Sequence, residues 1–277
     1  MGKRGKKLIN TFLIMCSLTF VTNSQVLAFQ YNFKPNTEKI YKYQHWNTKR
    51  KKITGYTEIS YQFIHKNNKS YVLEKSKNTT AEKTLFSEKE VWFRQKTGEW
   101  VYSEETDHRS NTTVFTEQIG SQINTRITDK NETKLFSVDE ENGLISIELL
   151  TLYLQKNMDD LTQNSVIDFV LFIPQIAMEL DKNGLPLSWS KLKMVATLGN
   201  SELVETPFGK QSAVSVLVEP GSFLIKSLLP KDKTSFQFIF QEQKPHLLLK
   251  FVENETEAVL TEIKDDHSNL GKMRQEN

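Results

Sequence analysis

Across residues 201–263 apolar and polar residues alternate in short runs broken by turn signals, which commits this part of the chain to antiparallel strands. In ETPFGKQSAVSVLVEPG, Pro207 presets φ for the first corner of a Thr206-Pro207-Phe208-Gly209 turn. Gly209 then supplies the left-handed conformation that closes a hairpin. Residues 213–218 are rich in β-branched side chains. Phe236, Phe238 and Phe240 then alternate with Gln237 and Ile239. The polar turn QEQKP, a run over 246–252, the turn ENET and a run over 257–263 complete a meander.

The same rhythm fills the N-terminal half, with Lys, Asn, Thr and Glu at the outward positions. KIYKYQHW and YTEISYQFIHK read as strands, KNNKS as a turn and SYVLEKS as the next strand. EVWFRQKTGEWVYSEE holds two strands around a loop over 95–98, and TTVFTEQI, QINTRIT and TKLFSV continue the series. A helical signal lies over 145–157, where Leu149, Leu150, Tyr153 and Leu154 share one stripe and Ser146 stands where an N-cap belongs. VIDFVLFIP, after MDDLTQN, reads as a buried strand ended by Pro174; DKNGLP is a turn, and GNSE at 199–202 another.

These runs predict a mainly β fold: a large curved antiparallel sheet, an open or partly closed barrel, with one or two short helices on its concave face. No linker, repeat or change of composition divides it. Residues 29–264 form one β-rich domain, or two β halves, 29–143 and 144–264, that share a sheet; 265–277 is a polar tail.

Ahead of the sheet, Lys3, Arg4, Lys6 and Lys7 precede the apolar run LINTFLIMCSLTFV and a polar stretch ending in Val26, Leu27 and Ala28, the tripartite layout of a secretory signal peptide. Polar Asn10, Thr11, Ser17 and Thr19 interrupt the run, which falls short of the roughly 20 apolar residues of a membrane span. Cleavage after Ala28 is expected, leaving a periplasmic or secreted chain that begins at Phe29 and has no membrane-spanning segment. Cys16 lacks the small residue that precedes a lipid-modified cysteine and reads as part of the leader. Without residues 1–28 the chain keeps 32 basic against 34 acidic residues and no cysteine. Its core must hold it together without disulfides, and it has no basic surplus for nucleic acid.

The segments LYLQKNMDDLTQNSVIDFVLFI, ELVETPFGKQSAVSVLVEPGS and FQFIFQEQKPHLLLKFVENETEAVLTEI resemble the bacterial exported domain-of-unknown-function family 3108. Its members have a short helix, a strand, a Thr-Pro-x-Gly turn and a closing pair of strands. The resemblance covers about half of the chain and departs at FIFQEQKPHLLL, where the family has a Trp-bearing strand followed by Arg and Pro. It implies a curved antiparallel sheet in the Gram-negative envelope, loosely similar to the lipoprotein-localisation (Lol) carriers, and no known activity.

Chemistry is sparse. His45, His65, His108, His246 and His267 share no ligand spacing, and no nucleophile elbow, phosphate loop or dinucleotide fingerprint occurs. Carboxylates adjoin at Asp139, Glu140 and Glu141, at Asp159 and Asp160, and at Asp265 and Asp266, but in polar loops or the tail. Trp92 and Trp100 flank one turn, suited to cross-strand pairing or to a sugar platform. The sequence therefore predicts a non-catalytic envelope protein with no metal and no cofactor, which binds an apolar ligand such as a lipid or docks a partner protein. An apolar groove between Leu149, Leu150, Tyr153 and Leu154 on the helix and Phe236, Phe238 and Phe240 on the sheet is the candidate site. An envelope hydrolase using acidic residues and a carbohydrate-binding module are the alternatives.

Overall fold

The computed structural model describes residues 38–95, 100–130, 132–139, 144–184, 186–222, 235–253 and 255–266. The leader and its cleavage site, the centre of the 95–98 loop, Glu140, Glu141 and His267 lie outside the described residues. Fifteen strands form one sheet. They are β1 (Glu38–Asn47), β2 (Lys52–Lys66), β3 (Lys69–Thr80), β4 (Leu85–Arg94), β5 (Trp100–Asp107), β6 (Thr112–Ile119), β7 (Gln122–Asp129), β8 (Glu132–Asp139), β9 (Leu144–Ser146), β10 (Val166–Phe172), β11 (Lys191–Thr206), β12 (Gly209–Pro220), β13 (Phe236–Gln241), β14 (Leu248–Glu253) and β15 (Thr256–Asp266). Three short helices, α1 (Leu150–Lys156), α2 (Met158–Asn164) and α3 (Pro174–Lys182), fall between β9 and β11.

The order across the sheet is the order along the chain, taken as a circle. From β8 it runs back to β1, crosses to β15 and descends to β9. Every pair is antiparallel except β9 with β10, where Leu144, Ile145 and Ser146 lie parallel to Val170, Leu171 and Phe172. The long β1–β15 ladder, from Glu38↔Asp266 to Asn47↔Thr256, joins the two ends of the described chain. The sheet is thus an up-and-down barrel opened along one seam, between β8 and β9. Five chain steps, Asp139 to Leu144, cross that seam, so the two edges approach within about 17 Å there.

The expected meanders are present in both halves. At 66–69 Asn67 and Asn68 both adopt positive φ, the mirror-image turn whose twist suits a two-residue hairpin. Four local readings need correction. The helix expected over 145–157 is divided, because Ile145 and Ser146 pair with β10, Ile147–Leu149 makes a single 3-10 turn, and α1 begins only at Leu150. Ser146 precedes that turn without a side-chain capping bond. At the other end, the Asn157 side-chain amide donates to the Tyr153 carbonyl at 2.7 Å, a local bond that competes with helix continuation. MDDLTQN, read as a connection, is α2. Pro174 does end β10, but it also opens α3, where its missing N–H takes nothing from the helix.

GNSE is no turn. β11 runs through it with a register shift between Leu198 and Ser201, a bulge at which a Cβ on Gly199 would displace the Ser215 hydroxyl.

The hairpin at Gly209 is as drawn from the sequence. Thr206 pairs with Gly209, whose φ is +94°, and the Thr206 hydroxyl donates to the Gly209 carbonyl at 2.8 Å while accepting from the Phe208 N–H at 3.2 Å. Gly209→Val is expected to destabilise the protein by about 1–3 kcal/mol through backbone strain, while Phe208→Tyr, half-exposed at the tip, leaves the urea midpoint in place. Equal midpoints for Gly209→Val and the parent would show that this turn is drawn wrongly.

Candidate functional site

The residues nominated for an apolar groove come together in one contiguous buried cluster. Leu150, Leu154, Phe238 and Phe240 have no accessible surface, and Leu149, Tyr153 and Phe236 are half-buried and pack against them. Period-two spacing aligns the three phenylalanines: Phe240, Phe238 and Phe236 face Val214, Val216 and Val218 across the β12–β13 ladder. Phe238 packs on Phe251 at 5.0 Å between ring centroids, and Tyr153 on Phe169 of β10 at 5.1 Å. The Gln155 amide anchors α1 by donating to the His246 carbonyl at 2.9 Å. Between α2 and the β13–β14 loop, Lys244 bonds Asp159 at 2.7 Å. Its ammonium, with His246 nearby, holds that carboxyl below the ordinary range. Both stripes belong to the one apolar core.

Sequence reasoning missed the opposite wall. On β1 to β7 the inward row mixes apolar residues with buried polar ones: His45, Thr57, Glu74, Ser76, Asn78, Ser87, Lys89, Ser103, Thr116 and Thr125. Four of these form a chain across β1 to β4. The Asn78 amide donates to Ser87 at 2.9 Å, and the Thr57 hydroxyl donates to the Asn78 carbonyl oxygen at 2.5 Å. With its only proton committed there, Thr57 must accept from His45 Nε2, 2.8 Å away. His45 is a donor in that bond, so it cannot serve as a base toward Thr57. Burial depresses its pKa from 6.5 to about 4, which keeps the imidazole neutral. Beside this chain lies a cavity of about 10 Å3 lined by Tyr43, His45, Thr57, Ile59, Leu248, Phe251 and Ala258. That is room for a single water. Nearby, Tyr61 donates to Glu74 at 3.0 Å, and the Tyr43 hydroxyl reaches the Leu248 carbonyl at 3.1 Å. The available signal was the Ser, Thr and Asn content of alternate positions in YVLEKSKNTT, which reads equally well as a solvated face.

On the outer face, the aromatic side chains of β3 to β6 stack on one another. Trp92 lies 5.6 Å from Tyr102 at an interplanar angle of 22° and edge-on to Tyr71, and Tyr102 lies 5.5 Å from Phe115. The guanidinium of Arg126 covers Phe115 at 4.9 Å. Trp100 instead faces Phe93 from the inward row, so the two tryptophans that flank the turn do not share a face. Rings stacked face to face offer their edges outward, whereas a sugar platform needs an open ring face.

The remaining candidates are dispersed. Asp139 bonds Gln122, His65 bonds Ser70 and His108 pairs with Glu88. No group of three His, Cys, Asp or Glu side chains suited to a metal ion occurs among the described residues. Among those residues, too, no helix is long and apolar enough to cross a membrane, which leaves strands aside.

Comparison with known proteins gives distant structural likenesses. A β-barrel-like protein of domain of unknown function DUF1849 from Brucella abortus aligns with a TM-score of 0.47 and 7% identity, over 85% of this chain and 100% of its own. A Bacteroides fragilis protein described as exported, with a YmcC-like fold, aligns at 0.33 and 8%, over 83% and 96%. A Parabacteroides distasonis protein described as a lipoprotein aligns at 0.34 and 10%, over 85% and 98%. No family model, that of family 3108 included, and no curated protein matches the chain.

Two buried titratable groups give the fold a pH signature. Desolvation raises Glu253 from 4.5 to about 8, so the native state holds this proton more tightly than the unfolded chain. Stability therefore declines as pH rises from about 4.5 to 8. His45 works in the other direction: its contribution is complete above 6.5 and lost as pH falls toward 4. Glu253→Gln is expected to remove the alkaline decline in urea midpoint, and His45→Gln to flatten the acid one. A Glu253→Gln variant whose midpoint tracks the parent's from pH 5 to 9 would contradict this assignment.

Proposed function

We propose that this is an exported, non-catalytic protein of the bacterial envelope, whose filled barrel-like body docks a partner protein by its outer surface. The leader pattern, a basic start, an apolar run and a polar stretch ending at Ala28, supports the compartment. The observation that carries the docking reading is the complete burial of Leu150, Leu154, Phe238 and Phe240 against each other's cluster, where a lipid carrier would keep space for an acyl chain. Each CH2 of such a chain would gain about 0.8 kcal/mol by burial, so an occupied groove has to be open along several carbons. Exposed apolar side chains on the projecting β11–β12 hairpin, Leu203 and Phe208, are consistent with contact to another protein.

Native mass spectrometry of the protein from its own compartment, with displacement of a fluorescent fatty acid, tests the reading. The expected outcome is no co-purified lipid, no saturable probe binding, and a loss of about 2–5 kcal/mol for Leu150→Ala, as for an ordinary core truncation. Stoichiometric lipid, or probe binding that Leu150→Ala abolishes while leaving stability unchanged, would replace docking by lipid carriage.

A further inference from the structure

Every strand boundary but one in this ring is sewn by a backbone ladder. At the exception, β8 and β9, side chains span the seam. Lys134, on the inward row of β8 with Phe136 and Val138, donates to Asp181 of α3 at 2.5 Å and lies 3.6 Å from Glu132. Lys191, at the start of β11, donates to the Asp139 carbonyl at 3.4 Å. The helix α3 belongs to the β9–β11 side of the seam, yet it lies against β7 on the other. Buried Ala177 and Met178 of α3 share the apolar cluster with Ile127, Phe136 and Val138 of β7 and β8. The bond to Asp181 also raises the Lys134 pKa, so the amine stays charged throughout the neutral range.

The geometry points to α3 as a strap across an otherwise open barrel, latched to β8 by the Glu132–Lys134–Asp181 ion cluster, so that the β7–β8 edge opens laterally without unfolding the rest. An ion pair this exposed is weak, and salt weakens it further as the screening length falls from about 10 Å at 0.1 M to about 3 Å at 1 M. Elsewhere in the sheet, save at the three-residue edge strand β9, opening a strand must break a ladder on each side. At β8 it breaks one ladder and the latch. The outermost hairpin is therefore the cooperative unit of lowest stability.

Hydrogen exchange read peptide by peptide on the full-length protein tests this. Lys134→Met keeps the aliphatic stem and removes the charge. It is expected to speed exchange of β8 and α3 amides by about two- to five-fold, the range for an exposed pair, and 1 M NaCl should shift the parent in the same direction by less. Exchange in β1 and β15 should not change. The swap Lys134→Asp with Asp181→Lys should restore protection, whereas Lys75→Met, which breaks the 2.7 Å pair with Glu90 in mid-sheet, should leave β8 untouched. Protection of β8 equal to that of β1, or acceleration spread evenly over all strands, would overturn the latch.

Discussion

The β1–β15 ladder, which pairs the two ends of the described chain, joins two antiparallel meanders into one open series whose edges are β8 and β9. One pair in that series is parallel, β9 with β10. A parallel pair cannot be joined by a tight turn and needs a crossover of a dozen residues or more. That is where helical turns appear: the 3-10 turn, α1 and α2 carry the chain from Ser146 to Val166. The helices of this crossover thus follow from the parallel pairing of β9 with β10. Leu150 and Leu154 reach the core because the crossover has to pass over the inward face of the β10–β14 wall.

The two walls are built on different physics. From β10 to β15 the inward rows are Phe, Val, Leu and Met, stabilised by burial of roughly 1.5–3 kcal/mol for each large side chain. From β2 to β7 about half of the buried inward residues are Thr, Ser, Asn, Glu or Lys, whose burial is tolerable only where polar atoms find partners. The chain from His45 to Ser87 meets that requirement by passing one hydrogen bond from strand to strand, which also fixes the register of β1 to β4. A slip by one residue would leave each group facing the outer row. The exposed pairs on the convex face, such as Lys42 between Glu58 and Glu262, add little stability beside this.

The strands were legible because their signal is local. Alternation in KIYKYQHW, YTEISYQFIHK and FQFIF is visible without knowledge of any partner, and Pro207 with Gly209 announces its turn. What escaped the sequence depends on partners remote in the chain. Ile145 and Ser146 look helical until Leu171 and Phe172 claim them as a strand. Gly199 looks like a turn until Ser215 lies beneath it. The polar inward row of β3 was unreadable for the same reason, since Ser76 and Asn78 differ from solvated residues only in what lies across from them. The nominated groove residues all fall in or against the one apolar core, but whether such stripes leave room between them is a matter of volumes, which spacing does not carry.

Nuclear Overhauser contacts between backbone amides, recorded on deuterated protein, test the broken-ring arrangement most directly. The account predicts amide contacts along the whole β1–β15 ladder, Tyr43 with Leu260 and Asn47 with Thr256 among them. It predicts contacts from β8 to β7 alone among the strands. A regular set of contacts from β8 to β9 or β10, or none between β1 and β15, would contradict it.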